Sequence, residues 1–388
     1  MKLKLDRNLE GKHCLLAITG AYNLGGGIAA ANRLVIQALV DSGYHTHIIA
    51  FNEGADSGKH YKTFKNINYK TSTLNKLKFV FHVYSALLKR RYTTIFFDHV
   101  NLAWILFPVV RLGFVRYVVR LNGIEVFPPK PDWQGKLGLQ NAALCLAISE
   151  FTKQQVSSIF PELKITVVDL SLDPVRSDQI QLSDDLTEMQ LIAVDGSQKL
   201  LGDRVILHVG RMAEDERYKG QDVLIQAMPY LSEEYSDVQL VLVGQGNDMG
   251  RLLALAREQS PDVQSRIFMP GFVSEKQLDD LYQCAYLFAM PSRGEGFGLV
   301  YVEAMSRGKP CVASRIDAAQ FVVKDEVTGL LVNDPFDPKS VATTLLNLLR
   351  DPQKARLFGA AGYELAKTYY SYPSFRDRFI ETLEAYLS

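Results

Sequence analysis

Twice along this chain, six short apolar runs alternate with longer stretches of helical period, and few folds accept that pattern. In the first half the runs are "CLLAITG", "HTHIIAF", "TTIFFD", "RYVVRLNG", "ALCLAIS" and "ITVVDL", separated by segments such as "IAAANRLVIQALVDSG". Short strands that are apolar on both faces, with helices between them, build a parallel sheet of the α/β class. After Pro174 the pattern lapses. Val175 to Asp203 is polar, with an Asp-Gly hairpin signal, and reads as a linker with a small excursion. The alternation then restarts with "RVILHVG", "VQLVLVG", "RIFMPG", "YLFAMPS", "PCVAS" and "GLLV". The expected organisation is one α/β domain over 1–174, a linker over 175–203 and a second α/β domain over 204–372. A Ser-Pro break and one amphipathic helix, 373–388, follow. At 388 residues and 47% apolar composition, the chain can bury two cores of ordinary size.

Charge narrows the partners. The 43 Lys and Arg balance the 43 Asp and Glu, so no global field favours nucleic acid, and any polyanion site must be local. Cys14, Cys145, Cys284 and Cys311 lie far apart and form no C-x-x-C pair, which signals neither zinc nor a disulfide framework and fits a reducing, cytosolic setting. "MKLKLDRNLEGKH" has no apolar h-region, and "LAWILFPVV" is broken at Arg111 before it could span a bilayer. The expectation is a soluble or peripheral protein.

Three stretches carry chemistry. In "TGAYNLGGGIAAANR", Gly25, Gly27 and Ala30 satisfy G-x-G-x-x-A, and Glu53 ends the next strand where a ribose-binding acid would sit. The dinucleotide fingerprint wants its first glycine at the strand's end, and here five residues separate Thr19 from Gly25. What survives is more general: glycines opening a helix expose N–H groups to an anion.

"PSRGEGFGLVYVEAMSRGKP" is more specific. Glu295 sits in a glycine-rich loop after an apolar strand, and Glu303 follows eight residues later inside the helix that Gly298 opens. Gly296 and Gly298 let the backbone approach a ligand, and the N–H groups of Gly298, Leu299 and Val300 are free to bind phosphate. Two carboxylates beside a phosphate must serve hydroxyls, and a sugar nucleotide supplies both sets, on the sugar near Glu295 and on the ribose near Glu303. The third stretch, "HVGRMAEDERYKGQD", places Arg211 just past a strand and Lys219 at the next helix, two cations where a departing diphosphate needs neutralising.

Gly26 and Gly27, Arg211 and Lys219 in G-R-x7-K-G, the turn "VGQGND", the segment "PGFVSEKQL" and Glu295-x7-Glu303 together resemble the retaining glycosyltransferases of family GT4. That resemblance implies the GT-B fold, two Rossmann-like parallel-sheet domains facing each other across a cleft. It implies that Arg211 and Lys219 hold the donor diphosphate, Glu295 the sugar and Glu303 the ribose. Gly246 and the Gly296-Phe297-Gly298 loop with Leu299 and Val300 would line the donor site, and the backbone near Phe272 and Val273 the base pocket. Gly26 and Gly27 would face the diphosphate from the other domain, and the helix over 373–388 would cross back to the first one. His99, in "FFDHVNLAW", resembles a cleft histidine, with a loop cap as its other reading. Asn122, in "RLNGIEV", stands where many relatives carry a histidine. "ERYKG" and "NGIEVF" resemble bacterial polysaccharide and glycolipid mannosyl- and glucosyltransferases of the cell envelope.

The implied activity moves a hexose from a GDP- or UDP-linked sugar to a hydroxyl of a glycan or lipid-linked acceptor with retention. The donor is a substrate; no cofactor is implied, and no Asp-x-Asp metal motif appears. A retaining glycosidase would supply a close carboxylate pair, and none is evident, so front-face substitution is expected. A nicotinamide oxidoreductase and a non-catalytic nucleotide-sugar binder are the competing classes. From Tyr61 to Tyr92 the chain carries eight Lys or Arg and no acid, and Leu74, Leu77, Phe81, Tyr84 and Leu88 have helical spacing. A helix resting on the anionic inner face of the cell membrane and a domain helix with a basic outer face both fit. His45 and His47 share a strand face but lack a third zinc ligand.

Overall fold

The structure, a computed structural model, describes residues 12–22, 26–89, 92–127, 131–173 and 188–387. Gly25, Arg90, Arg91 and residues 175–187 of the expected linker lie outside them. The chain divides into two compact units, one of Met1–Pro174 with Tyr372–Ser388 and one of Val175–Ser371.

The first unit is built on seven parallel strands: β1 (His13–Ile18), β2 (His45–Ala50), β3 (Ile67–Thr71), β4 (Thr94–Phe97), β5 (Val118–Leu121), β6 (Leu144–Ala147) and β7 (Ile165–Val167). Their order is β3-β2-β1-β4-β5-β6-β7. Central strands are closed to solvent on both faces, as Cys14 to Ile18 of β1 show, which is why they read as unbroken apolar runs. Strand β3, "INYKT", did not stand out because it is an edge strand, partly exposed and mixed in polarity. The helix Tyr372–Leu387 belongs to this unit; Phe375, Phe379 and Leu383 are buried, and Phe379 meets Phe96 of β4 edge to face.

The second unit opens with an antiparallel hairpin, β8 (Gln190–Ile192) and β9 (Gln198–Leu200), around Asp195-Gly196. Six parallel strands follow: β10 (Val205–Val209), β11 (Gln239–Val243), β12 (Ile267–Gly271), β13 (Leu287–Ala289), β14 (Cys311–Ser314) and β15 (Gly329–Val332), ordered β12-β11-β10-β13-β14-β15. Each sheet reverses its winding once, between β1 and β4 and between β10 and β13. At such switch points the loops beyond the strands' carboxyl ends part and leave room for a ligand.

Candidate active site

In the second unit the loops following β10 and β13 converge at the switch point, and they carry Arg211, Lys219 and Glu295. The Arg293 amide donates to the Tyr218 carbonyl at 2.7 Å, and the Arg293 guanidinium bonds Asp222 at 3.1 Å. Gly220 is left-handed, at φ +80°, and a Cβ there would lie 2.6 Å from the Pro291 carbonyl oxygen, so only glycine lets the two loops close. Gly246 likewise brings the turn after β11 against the Arg211 loop, where a Cβ would meet the Met212 oxygen at 2.3 Å.

The two cations share one counter-charge that the spacing did not reveal. The Glu216 carboxylate pairs with the Arg211 guanidinium through one oxygen and with the Lys219 ammonium at 3.2 Å through the other. Arg211 is 63% exposed and Lys219 only 17%, so the guanidinium is open to solvent while the ammonium is enclosed. Beneath them lies His208 of β10, fully buried, with Nε2 3.3 Å from the Lys219 carbonyl. Burial, and after it the Lys219 charge, push its pKa down to about 3, so the ring is neutral and donates to that carbonyl.

Glu295 carries an unsatisfied acceptor: its Oε2 is screened from solvent and has no hydrogen-bond partner. Burial raises its pKa, the Lys219 charge lowers it and Glu216 raises it again. Such an acceptor, held out of water beside an enclosed ammonium, suits a ligand hydroxyl. Its loop is held by Asp317, a residue that sequence reasoning passed over. One Asp317 oxygen accepts from Ser292 Oγ at 2.6 Å, Gly294 N at 3.1 Å and Glu295 N at 2.8 Å, and the other from Ala319 N at 3.0 Å. Burial pushes the Asp317 pKa up to about 7 against those bonds. Gly298 caps the helix Leu299–Met305, on which Leu299 and Val300 are half-buried. The Phe297 ring turns inward against Tyr370, so the loop offers backbone at that position. Glu303 accepts from the Tyr282 hydroxyl at 3.2 Å, Phe272 is exposed, and Val273 is half-buried beyond β12.

The first unit holds a second polar network at its own switch point. Asp98 accepts from Thr19 N at 2.9 Å and Asn32 Nδ2 at 2.7 Å; Asn32 Oδ1 accepts from Arg120 Nη2 at 2.7 Å. Asn122 joins them, donating to the Asp98 carbonyl at 2.7 Å and accepting from Arg120 Nε at 2.7 Å. Its side chain is thus engaged in holding loops together. His99 N-caps the helix Val100–Ala103 through Nδ1, which accepts from Asn101 N at 3.1 Å. Its remaining ring nitrogen then carries the proton. Gly26 and Gly27 sit exposed at the start of the helix Gly27–Asp41. Glu53 is buried and accepts from Ala21 N and Tyr22 N at 2.6 Å through one oxygen and from the Tyr61 hydroxyl at 2.7 Å through the other, which commits one oxygen to the loop after β1 and the other to Tyr61. No ribose acid is left at that position for a nicotinamide dinucleotide. Among the described residues, no group of three His, Cys, Asp or Glu side chains is assembled around His45 and His47 or elsewhere.

Residues 203–351 match the family model of the glycosyl transferases group 1. An uncharacterized glycosyltransferase of Methanocaldococcus jannaschii is 32% identical over 209 residues, 53% of this chain and 50% of that protein. A GDP-mannose-dependent alpha-(1-6)-phosphatidylinositol monomannoside mannosyltransferase of Mycolicibacterium smegmatis is 36% identical over 170 residues, 42% of this chain and 43% of that one. The chain thus spans about half the length of the curated relatives it matches. In fold, Anabaena HepE, solved in complex with UDP, superposes with a TM-score of 0.74 at 19% identity, covering 96% of this chain and 100% of that one. Residues 203–351 are thus similar to the glycosyl transferases group 1, and the two Rossmann-like parallel sheets have the fold of GT-B glycosyltransferase structures.

Proposed function

We propose that the protein is a retaining glycosyltransferase that moves a hexose from a nucleoside-diphosphate sugar to a hydroxyl of a glycan or lipid-linked acceptor. The observation that carries this reading is the grouping of Arg211, Lys219 and the unpartnered Glu295 oxygen on loops that one switch point brings together. In this reading Lys219 and the exposed Arg211 take the donor diphosphate, Glu295 accepts from a sugar hydroxyl and Glu303 from the ribose. The C1–phosphate bond breaks while the acceptor oxygen bonds C1 on the same face, and the acceptor proton passes to the departing phosphate oxygen. The two cations and the amides of Gly298, Leu299 and Val300 stabilise the charge that develops there. The donor is GDP- or UDP-linked, supported by the GDP-mannose-dependent relative and by the UDP complex of the fold neighbour. Within the second unit Gly246, Phe272 and Val273 complete the proposed donor contacts.

Lys219→Ala and Glu295→Ala are each expected to lower turnover by two orders of magnitude or more with melting temperature within a few degrees of the parent. Near-normal rates would overturn the assignment. In thermal-shift measurements UDP or GDP should stabilise the protein and NAD should not.

The acceptor side is proposed to work at an anionic membrane surface. On the helix Lys76–Lys89 the core-facing residues are Phe79, Val83 and Ala86, while Leu77, Phe81 and Leu88 are 83%, 69% and 88% exposed. An outward apolar stripe beside the exposed Lys76 and Lys78 complements anionic lipid better than water. No described helix is long and apolar enough to cross a membrane. Flotation with anionic vesicles should require Leu77 and Phe81, and recovery unchanged in Leu77→Gln/Phe81→Gln would retire the membrane surface.

A further inference from the structure

The proposed membrane surface uses only Lys76 and Lys78 of the acid-free basic run, whereas Lys65, Lys70 and Lys89 of that run and the histidines of "HTH" line one cavity. The cavity, of about 400 Å³, has His45, His47, Asn68, Ser85 and Tyr92 in its lining beside those lysines. Strand register explains the grouping. His47 lies beside Asn68, and Ile49 beside Lys70. Alternation puts these four on one sheet face, where Ile49 shares a core with Phe79, Val83 and Ala86 of the covering helix. Ser85 and Lys89, four apart on that helix, face the same edge strand. The Tyr92 hydroxyl lies 2.7 Å from His47 Nδ1 and orients the ring.

The charge here is uncompensated. No Asp or Glu occurs between Ser57 and Phe97, and Lys65, Lys70 and Lys89 have no ion-pair partner among the described residues. Nearby His82 feels the same field: its pKa lies below the ordinary value through burial and then through Lys70 and Lys78. Lysines lining one cavity without carboxylates, together with amide, hydroxyl and imidazole groups, match a phosphate group and its ester oxygens. The volume exceeds that of a bare phosphate and leaves room for a small polar body. The site also lies away from the candidate chemistry of its own unit. His45 begins β2 and Tyr92 precedes β4, whereas Asp98 and His99 follow the carboxyl end of β4.

We propose that this cavity is a binding site for a phosphate ester, presented by an anionic lipid headgroup or by a soluble metabolite, and that it is separate from the donor site. The test titrates glycerol 3-phosphate into the full-length protein while the imidazole resonances are followed by NMR. In parallel, vesicles of phosphatidylglycerol or of phosphatidylcholine are floated with the protein. Binding should weaken at least tenfold in Lys70→Gln/Lys89→Gln, persist in Lys70→Arg/Lys89→Arg and in Lys219→Gln, and raise the His82 titration midpoint. The vesicle arm is run in the Leu77→Gln/Phe81→Gln background, where the helix surface no longer holds the membrane; a response to the free ester identifies a soluble ligand, and a response in that background to phosphatidylglycerol vesicles alone identifies a headgroup. Binding that survives Lys70→Gln/Lys89→Gln, or no response to either probe, overturns the proposal.

Discussion

His208 and Asp317 are buried ionisable groups of opposite kind, and each makes the second unit sensitive to pH in its own way. The folded state holds His208 neutral down to about pH 3, while an unfolded chain takes up that proton near the ordinary histidine value of about 6.5. Between those values the unfolded state binds more protons, so the contribution of His208 is fully present above about pH 6.5 and is lost progressively as pH falls. From pH 7 to pH 5, urea denaturation should show the parent losing about 2 kcal/mol more than His208→Gln, whose amide keeps a donor without a titratable ring. Asp317 matters through what it holds. Asp317→Asn turns a donor toward amides that need an acceptor, at a cost of about 1–3 kcal/mol, and should lower turnover at least tenfold. Because it acts through the Glu295 loop, the same change made in Glu295→Ala should cost little further activity, and full additivity in that double-mutant cycle would refute the positioning role.

Glycine spacing made the Arg211, Lys219 and Glu295 loops readable, because close backbone approach leaves a mark in sequence. Gly220 bears that out physically, and Gly220→Ala should loosen both loops, costing about 1–3 kcal/mol of backbone strain and raising the donor KM. Gly250 provides the contrast: it lies on the helix Met249–Arg257 with nothing within 4 Å of a built Cβ, so Gly250→Ala should melt at or above the parent temperature. The partners of these loops left no such mark. Glu216 is one acid within "EDER", and nothing local says that it, rather than its neighbours, bridges two cations. Asp317 reaches Glu295 only because β14 lies beside β13. The buried strands were legible as apolar runs, whereas β3 was hidden by its exposed edge. On the helix Lys76–Lys89 periodicity found an apolar stripe, but the core took a different one, Phe79, Val83 and Ala86, because the helix is apolar on two faces.

At the scale of the whole molecule, the first unit is assembled from both ends of the chain, with Tyr372–Ser388 completing what Met1–Pro174 begins. Ending the chain at Ser371 would expose the partners of Phe375, Phe379 and Leu383. At about 1.5–3 kcal/mol each, that loss rivals the whole stability of an ordinary domain. Calorimetry on this truncation should show an early transition for the first unit and a nearly unchanged one for the second, and limited proteolysis should leave the second unit intact. The same closure orders events during synthesis. The amino-terminal sheet emerges first yet must wait, at about 5–20 residues per second, for roughly tens of seconds until its last helix leaves the ribosome. The later-made second unit has all its strands before then. Until residues 372–387 are made, a nascent chain of this protein is therefore exposed to chaperones and proteases chiefly through its first unit, and a premature stop before Phe375 forfeits that unit's sheet.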